Sequence, residues 1–373
     1  MSAPRSCRCR HRLVATLAAT FALVAGQANA GPDQKVLNVY SWAEYFPAPM
    51  LRRFESETGI HVNYTVMDSN DVMETTLSAG HSGFDLVTVN ASPHLAREIP
   101  KHLWQPLDKS RIRTIGNADP SIMRTLQRVD PGNRYAIPWM WGTVGVMVNP
   151  DKIRAASSEP SRAIDKVFKP EVIARYQDCG VTVLDSWVDV LPALSAWLGH
   201  KDIAADPASL RELAAAFNAI RPYLRRISTS GYYQQLGEGE SCVALGYSGD
   251  AMIARRLAAD AANGVRIEYA FPEPQVGVYV DSFAIPADAP HPANAHAFIE
   301  FAMRPEVSAE VAAYIGFATG NAAAIPLLPA EVRNNAGIYP PAEVRERFSL
   351  GRAFTPTEER ALGKAWLRMK SGH

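Results

Sequence analysis

Sulfur, long apolar runs and any imbalance of charge are scarce in this chain, and each shortage removes a class of function. Its 373 residues hold four cysteines, two of which, Cys7 and Cys9, fall within the first 30 residues. The remaining Cys179 and Cys242 have no C-x-x-C spacing, so neither a zinc knuckle nor a thioredoxin-like pair is written here. No apolar stretch beyond residue 30 reaches the roughly 18 residues that a membrane helix needs. Lys plus Arg number 38 and Asp plus Glu number 38. No basic block follows the first dozen residues, which speaks against nucleic acid as the main partner. Neither a P-loop nor a G-x-G-x-x-G pattern occurs, and no metal or other cofactor is expected. Internal repeats and low-complexity linkers are absent too.

What is present starts with a targeting segment. Arg5, Arg8, Arg10 and Arg12 precede the apolar stretch Leu13 to Gly26, and Ala28-Asn29-Ala30 supplies an A-x-A cleavage site. Residues 1–30 are read as a signal peptide, with Gly31 as the mature N-terminus and the periplasm as destination. Cleavage removes four arginines and no acid, leaving 34 bases against 38 acids, a net −4 that suits a cationic ligand. In an oxidising compartment Cys179 and Cys242 most simply form one disulfide, and a thiol nucleophile or metal ligand is the alternative.

The coded chain of 373 residues is 47% hydrophobic and has material for two domains. Short β-rich runs (Val36 to Tyr40, His61 to Met67, Phe84 to Val89) alternate with helical ones (Met50 to Thr58, Asp71 to Ala79), which predicts βαβ units around a mainly parallel sheet. Asn70-Asp71 is expected to cap the second helix. A second series follows Pro138, with strands expected over Gly142 to Val148, Val181 to Leu184, Cys242 to Tyr247, Arg266 to Phe271 and Val276 to Ile285. Helices are expected near Pro170 to Gln177, over Ala208 to Leu224, from Gly249-Asp250 to Asn263-Gly264, and within 292–315. Two such series without a linker suggest two lobes exchanged by crossing strands, with a ligand at strand carboxyl ends between them.

Three strand ends gather rings and acids: Tyr40-Ser-Trp42-Ala-Glu44-Tyr45, Gly246-Tyr-Ser-Gly-Asp250 and Tyr279-Val-Asp281, with Asp189 beyond a fourth. An aromatic face attracts an ammonium and covers its methylenes while a carboxylate accepts its N–H donors. Core packing and helix capping are the competing roles for the same residues. Gly246-Tyr-Ser-Gly-Asp250 also mimics the G-x-S-x-G nucleophile elbow, but Asp250 stands at the last glycine, which counts against Ser248 as a nucleophile. Tyr232-Tyr233 is a tyrosine pair of the kind that can hold ferric ion, without an assignable histidine or carboxylate beside it. His291 and His296 are read as solvated surface residues.

Leu37-Asn-Val-Tyr-Ser-Trp42, Phe54-Glu-Ser-Glu-Thr-Gly-Ile60, Gly83-Phe-Asp-Leu-Val87, Pro106-Leu-Asp-Lys-Ser110, Cys242 to Asp250, Asp281 to Asp288 and Gly337-Ile-Tyr-Pro-Pro341 occur in this order along nearly all of the mature chain. Together they resemble the periplasmic putrescine/spermidine-binding proteins of ABC importers. The resemblance implies an α/β, type II periplasmic-binding fold, two lobes joined by crossing strands, with a polyamine clamped between them and a disulfide at Cys179 and Cys242. Approximate lobes are 31–138 plus 252–315 and 139–251 plus 316–373. It implies ligand roles for Trp42, Glu44, Asn90, Asp189, Tyr247, Asp250, Tyr279, Asp281 and Phe317. Ala43, Asn90, Tyr247, Tyr279, Phe317 and Asp189 each depart from the residue usual in the family. The expected function is capture of a protonated polyamine, putrescine first and spermidine next, for a membrane permease and its ATPase, by a monomer without catalysis. Agmatine or cadaverine binding, or an exported serine hydrolase, are the alternatives.

Overall fold

The computed structural model describes residues 35–43, 45–154 and 162–372, so the expected signal peptide and the candidate ligand residue Glu44 lie outside the described residues. Among the described residues one sheet holds eleven strands. In chain order they are β1 (Val36–Ser41), β2 (His61–Val66), β3 (Leu86–Asn90), β4 (Ala136–Val148), β5 (Val181–Val183), β6 (Leu224–Ile227), β7 (Val243–Tyr247), β8 (Glu268–Ala270), β9 (Val276–Ala284), β10 (Ala318–Thr319) and β11 (Phe348–Ser349). The spatial order is β2-β1-β3-β9-β4-β7-β5-β6, with β8 and β10 on β4 and β11 on β9. β1 runs parallel to β2 and β3, and β5 parallel to β6 and β7. The long antiparallel strands β4 and β9 join these two parallel groups.

The βαβ entry follows its local signals. Helix Ala48–Thr58 stops at Gly59, whose φ of 69° is the left-handed stop that glycine tolerates best. Helix Asn70–Ser78 is capped by the Ser69 side chain on the Val72 N–H, one residue before the expected Asn70-Asp71 cap. Period-two alternation sends Leu37 and Val39 of β1 into one core and Tyr40 into another on the opposite face. The first core continues through Phe54, Trp139, Phe283 and Phe298. A third core gathers Val146, Val183, Phe217, Leu245 and Trp366 around the other parallel group.

β4 begins at Ala136, six residues before the expected start at Gly142. Pro138 cannot donate to a ladder, but the register of β4 on β9 shifts between Pro138 and Met140 and absorbs it. The strand thus supplies Trp139 and Trp141 to the first two cores and Val144 to Val148 to the third. At the changeover Gly142 faces Tyr279, and a Cβ there would sit 2.2 Å from the Tyr279 Oη. Three helices also differ from expectation: the Pro170 segment is a four-residue helix followed by a 3-10 turn, the helix expected to Leu224 ends at Ile220 with a 3-10 turn before β6, and helix Ser248–Asp260 ends before Asn263-Gly264.

Both histidines read as solvated are engaged. His296 is 5% exposed; its Nε2 accepts the Asp108 N–H at 2.8 Å and its Nδ1 faces the Pro292 carbonyl at 2.7 Å. His291 donates its backbone N–H to buried Asp85 at 2.5 Å. Cys179 and Cys242 are disulfide-bonded with Cα atoms 5.5 Å apart, tying the entry of β5 to that of its neighbour β7.

Candidate functional site

The carboxyl ends of β1, β3 and β7, the loop beyond β5 and the middle of β9 surround one cavity of about 700 Å³. Trp42, Asn90, Asp189, Tyr247, Asp250, Tyr279, Asp281 and Phe317 all line it. Residues separated by more than 200 positions meet there because β9 lies between β3 and β4.

Three carboxyls in this wall each receive a phenol. Tyr45 donates to Asp281 at 2.5 Å, Tyr232 to Asp250 at 2.6 Å and Tyr247 to Asp189 at 2.8 Å. Asn90 adds a weaker bond to Asp281 at 3.3 Å, and Ser186 a second one to Asp189. Burial pushes the Asp281 carboxyl up to about 6, against the opposing pull of its bonds from Tyr45, Asn90 and Trp42. Burial likewise raises Asp250 to about 6 and raises Asp189, in each case opposed by the phenol. Anionic charge concentrated here awaits a positive partner, since an unpaired buried charge is costly.

The rest of the wall is aromatic. Tyr247 meets Tyr279 edge to face at 5.3 Å between ring centroids, Phe317 lies 6.3 Å from Tyr279, and Tyr45 lies 5.9 Å from Phe317. Two glycines make room for this arrangement. A Cβ at Gly249 would fall 2.6 Å from the Phe317 ring, and one at Gly246 would fall 2.4 Å from the Tyr232 ring. The Gly246-Tyr-Ser-Gly-Asp250 motif is therefore a ring-clearance pattern. Ser248 is buried, and its Oγ accepts the Thr143 N–H at 3.1 Å.

Sequence reasoning placed no arginine at the cavity, yet Arg97 and Arg352 line it. Each is matched by its own acids. Arg97 pairs with Asp71 at 2.7 Å, with Glu359 at 3.1 Å and with Glu74; Arg352 pairs with Glu358 at 2.6 Å. A ligand carboxylate approaching either arginine would have to compete with these ion pairs; Lys201 also lines the cavity. Tyr45, Trp187 and Ser186 are further cavity residues that sequence reasoning left out. Tyr45 stood within the quoted Trp42 cluster and was findable; Ser186 and Trp187 carry no comparable signal.

Sheet topology and cavity together define a two-lobed solute-binding protein of the type II periplasmic class. A model of the bacterial extracellular solute-binding protein family matches residues 50–340, and the chain belongs to that family. It is 42% identical over 351 residues to the putrescine-binding periplasmic protein SpuD of Pseudomonas aeruginosa, covering 94% of this chain and 95% of that one. It is 37% identical to the putrescine-binding periplasmic protein PotF of Escherichia coli, covering 91% and 92%. Among solved structures, the spermidine/putrescine ABC transporter substrate-binding protein PotD of Streptococcus pneumoniae superposes with a TM-score of 0.76 at 26% identity, covering 90% of this chain and 99% of that chain.

Proposed function

We propose that this protein captures a protonated linear polyamine, putrescine first and spermidine next, in the cavity between its lobes and delivers it to the permease and ATPase of an ABC importer. The observation that carries this reading is the wall itself: three phenol-bonded carboxyls, Asp281 buried and Asp250 and Asp189 half-buried, and a run of aromatic rings, with both nearby arginines already neutralised. The methylenes lie between Trp42 and Tyr247, and the ammoniums meet Asp281 and Asp250, with Asp189 beyond. The guest is held and released unchanged, so no residue acts as nucleophile or acid/base catalyst. Contacts from both lobes form together only when the cleft is shut, so binding shifts the hinge toward the closed form.

The lobes meet within β4 and β9, near Gly142 and Tyr279. Packing supports a boundary that gives residues 136–141 to the first lobe and 144–148 to the second. The same packing favours grouping helix Ser248–Asp260 with the second lobe and residues 317–328 with the first, in place of the approximate boundaries expected from the sequence. The protein works as a monomer in the periplasm, reached through the signal peptide. Among the described residues no helix is long and apolar enough to cross a membrane, and SpuD and PotF are named as periplasmic.

Calorimetric titration with putrescine, spermidine, cadaverine, agmatine and arginine tests the reading. Saturable binding of putrescine at one site, with arginine silent, is the expected result; binding of arginine in preference to every simple amine would overturn it.

Acidity provides a second check. With Asp250 and Asp281 at about 6, protons compete with a dication below that pH. Putrescine affinity should hold steady from pH 7.5 to 8.5 and weaken below 6, on the order of a hundredfold by pH 5 if both carboxyls must ionise. Folding stability moves the other way. A carboxyl held above its ordinary 3.8 binds protons more tightly folded than unfolded, so these two groups favour the ligand-free fold more as pH falls from about 6 toward 3.8. An affinity that stayed level from pH 8 to pH 5 would show that neither carboxyl meets the ligand.

A further inference from the structure

Tyr232 belongs to a motif singled out in the sequence that the cavity wall does not absorb. Its side chain is fully buried and does not line the cavity; it sits behind the wall, on helix Tyr232–Gly237, packed against helix Ser248–Asp260. We infer that Tyr232 is a positioning residue for amine binding, holding the Asp250 carboxyl from behind so that one oxygen is occupied and the other faces the guest. The inference rests on the polyamine reading above.

The direction of its hydrogen bonds is determined by chemistry. The Tyr247 backbone N–H can only donate, and it reaches the Tyr232 oxygen at 3.0 Å. The phenol proton is therefore free for Asp250 Oδ2, 2.6 Å away. One hydroxyl thus links the last residue of β7, whose ring forms part of the cavity wall, to the carboxyl three residues further on. The ring is held as firmly as the hydroxyl. It fills the space that Gly246 leaves empty, and Tyr233 packs edge-on against it at 5.7 Å. Among the described residues Tyr232 is the side chain that hydrogen-bonds Asp250, whereas Asp281 and Asp189 each have a second donor.

The two companion phenols, Tyr45 and Tyr247, line the cavity themselves and would touch a ligand directly. Tyr232 reaches the ligand through Asp250 and also anchors the Tyr247 backbone, so an Asp250→Ala background separates the first effect from the second. The cavity is also lined by the carboxyls of Asp189 and Asp281, the phenols of Tyr45, Tyr247 and Tyr279, the imidazole of His94 and the ammonium of Lys201; the influences on Asp250 itself are burial and the Tyr232 hydroxyl. Arg97 and Arg352 are committed to Glu359 and Glu358. Without the Tyr232 hydroxyl, burial acts on Asp250 with nothing opposing it, and the carboxyl takes up a proton more readily.

Tyr232→Phe keeps the ring and removes the hydroxyl. Calorimetric titration of that variant with putrescine from pH 5 to 8.5 should give affinity roughly ten- to a hundredfold weaker at pH 7, the usual worth of a hydrogen bond to a charged group. The pH below which affinity falls should also move up by about one unit. In an Asp250→Ala background the same substitution should change nothing further, because the phenol acts through that carboxyl. Affinity and pH profile both equal to wild type would overturn the inference, even if the variant melts earlier. An equal further loss in the Asp250→Ala background would overturn it too. Carboxyl-carbon NMR of ligand-free protein reads the hydrogen bond independently of any ligand. A raised Asp250 midpoint in the variant, alongside a wild type that binds no amine, would leave Tyr232 holding Asp250 and sink the polyamine reading. An unmoved midpoint would sink the inference alone.

Discussion

Replacing Asp281 by asparagine should weaken putrescine binding by about 2–5 kcal/mol, from thirtyfold to several thousandfold, because a buried ammonium loses its charged partner. The substitution keeps shape and keeps an oxygen for the Tyr45 hydroxyl, which reaches Asp281 at 2.5 Å in the native site. The fold has little to lose: burial already pushes the native carboxyl up to about 6, so removing its charge relieves a desolvation cost. Circular dichroism should therefore show a ligand-free variant that melts at or above the wild-type temperature. Putrescine and spermidine affinities equal to wild type would remove Asp281 from the site. A variant that fails to fold would mean that its role is structural.

The second large effect falls on stability. The Cys179–Cys242 bond spans 63 residues of sequence, and the chain-entropy model assigns a loop of that length about 4 kcal/mol. Cys179→Ser combined with Cys242→Ser should lower the chemical-denaturation stability by roughly that amount. The bond ties the entries of β5 and β7, away from the carboxyl ends where the cavity lies, so putrescine affinity of the folded fraction should stay within a few fold. A double-serine protein as stable as wild type would mean that other contacts already hold β5 and β7 together. Loss of affinity without loss of stability would mean that the bridge shapes the cavity.

Trp42 and Asp250 were legible because they lie just beyond strand ends, where a ring and an acid stand a few positions apart. Tyr279 and Asp281 carry the same pairing but sit in the middle of β9 rather than at the strand end the sequence suggested; all four line the cavity. Tyr232 could not be read the same way. Its function depends on a helix packing behind the wall, 18 residues from Asp250 in sequence, and only the structure shows that Gly246 clears the space for its ring. Pro138 misled in the opposite sense. A proline inside an apolar run signals the end of a strand, whereas a register shift on β9 lets β4 continue through it and carry the chain from one lobe to the other. His296 looked exposed because it sits among prolines and polar residues. It lies on the buried face of helix Pro292–Ala302, with the Asp108 N–H and the Pro292 carbonyl engaging its two ring nitrogens.

The account depends most on where a diamine lies. A crystal structure of the protein grown with putrescine at neutral pH should show the amine in the cavity with its chain between the rings of Trp42 and Tyr247. One nitrogen should lie within hydrogen-bond distance of Asp281 and the other of Asp250. Putrescine bound elsewhere, with both carboxyls still facing only their tyrosines, would contradict it.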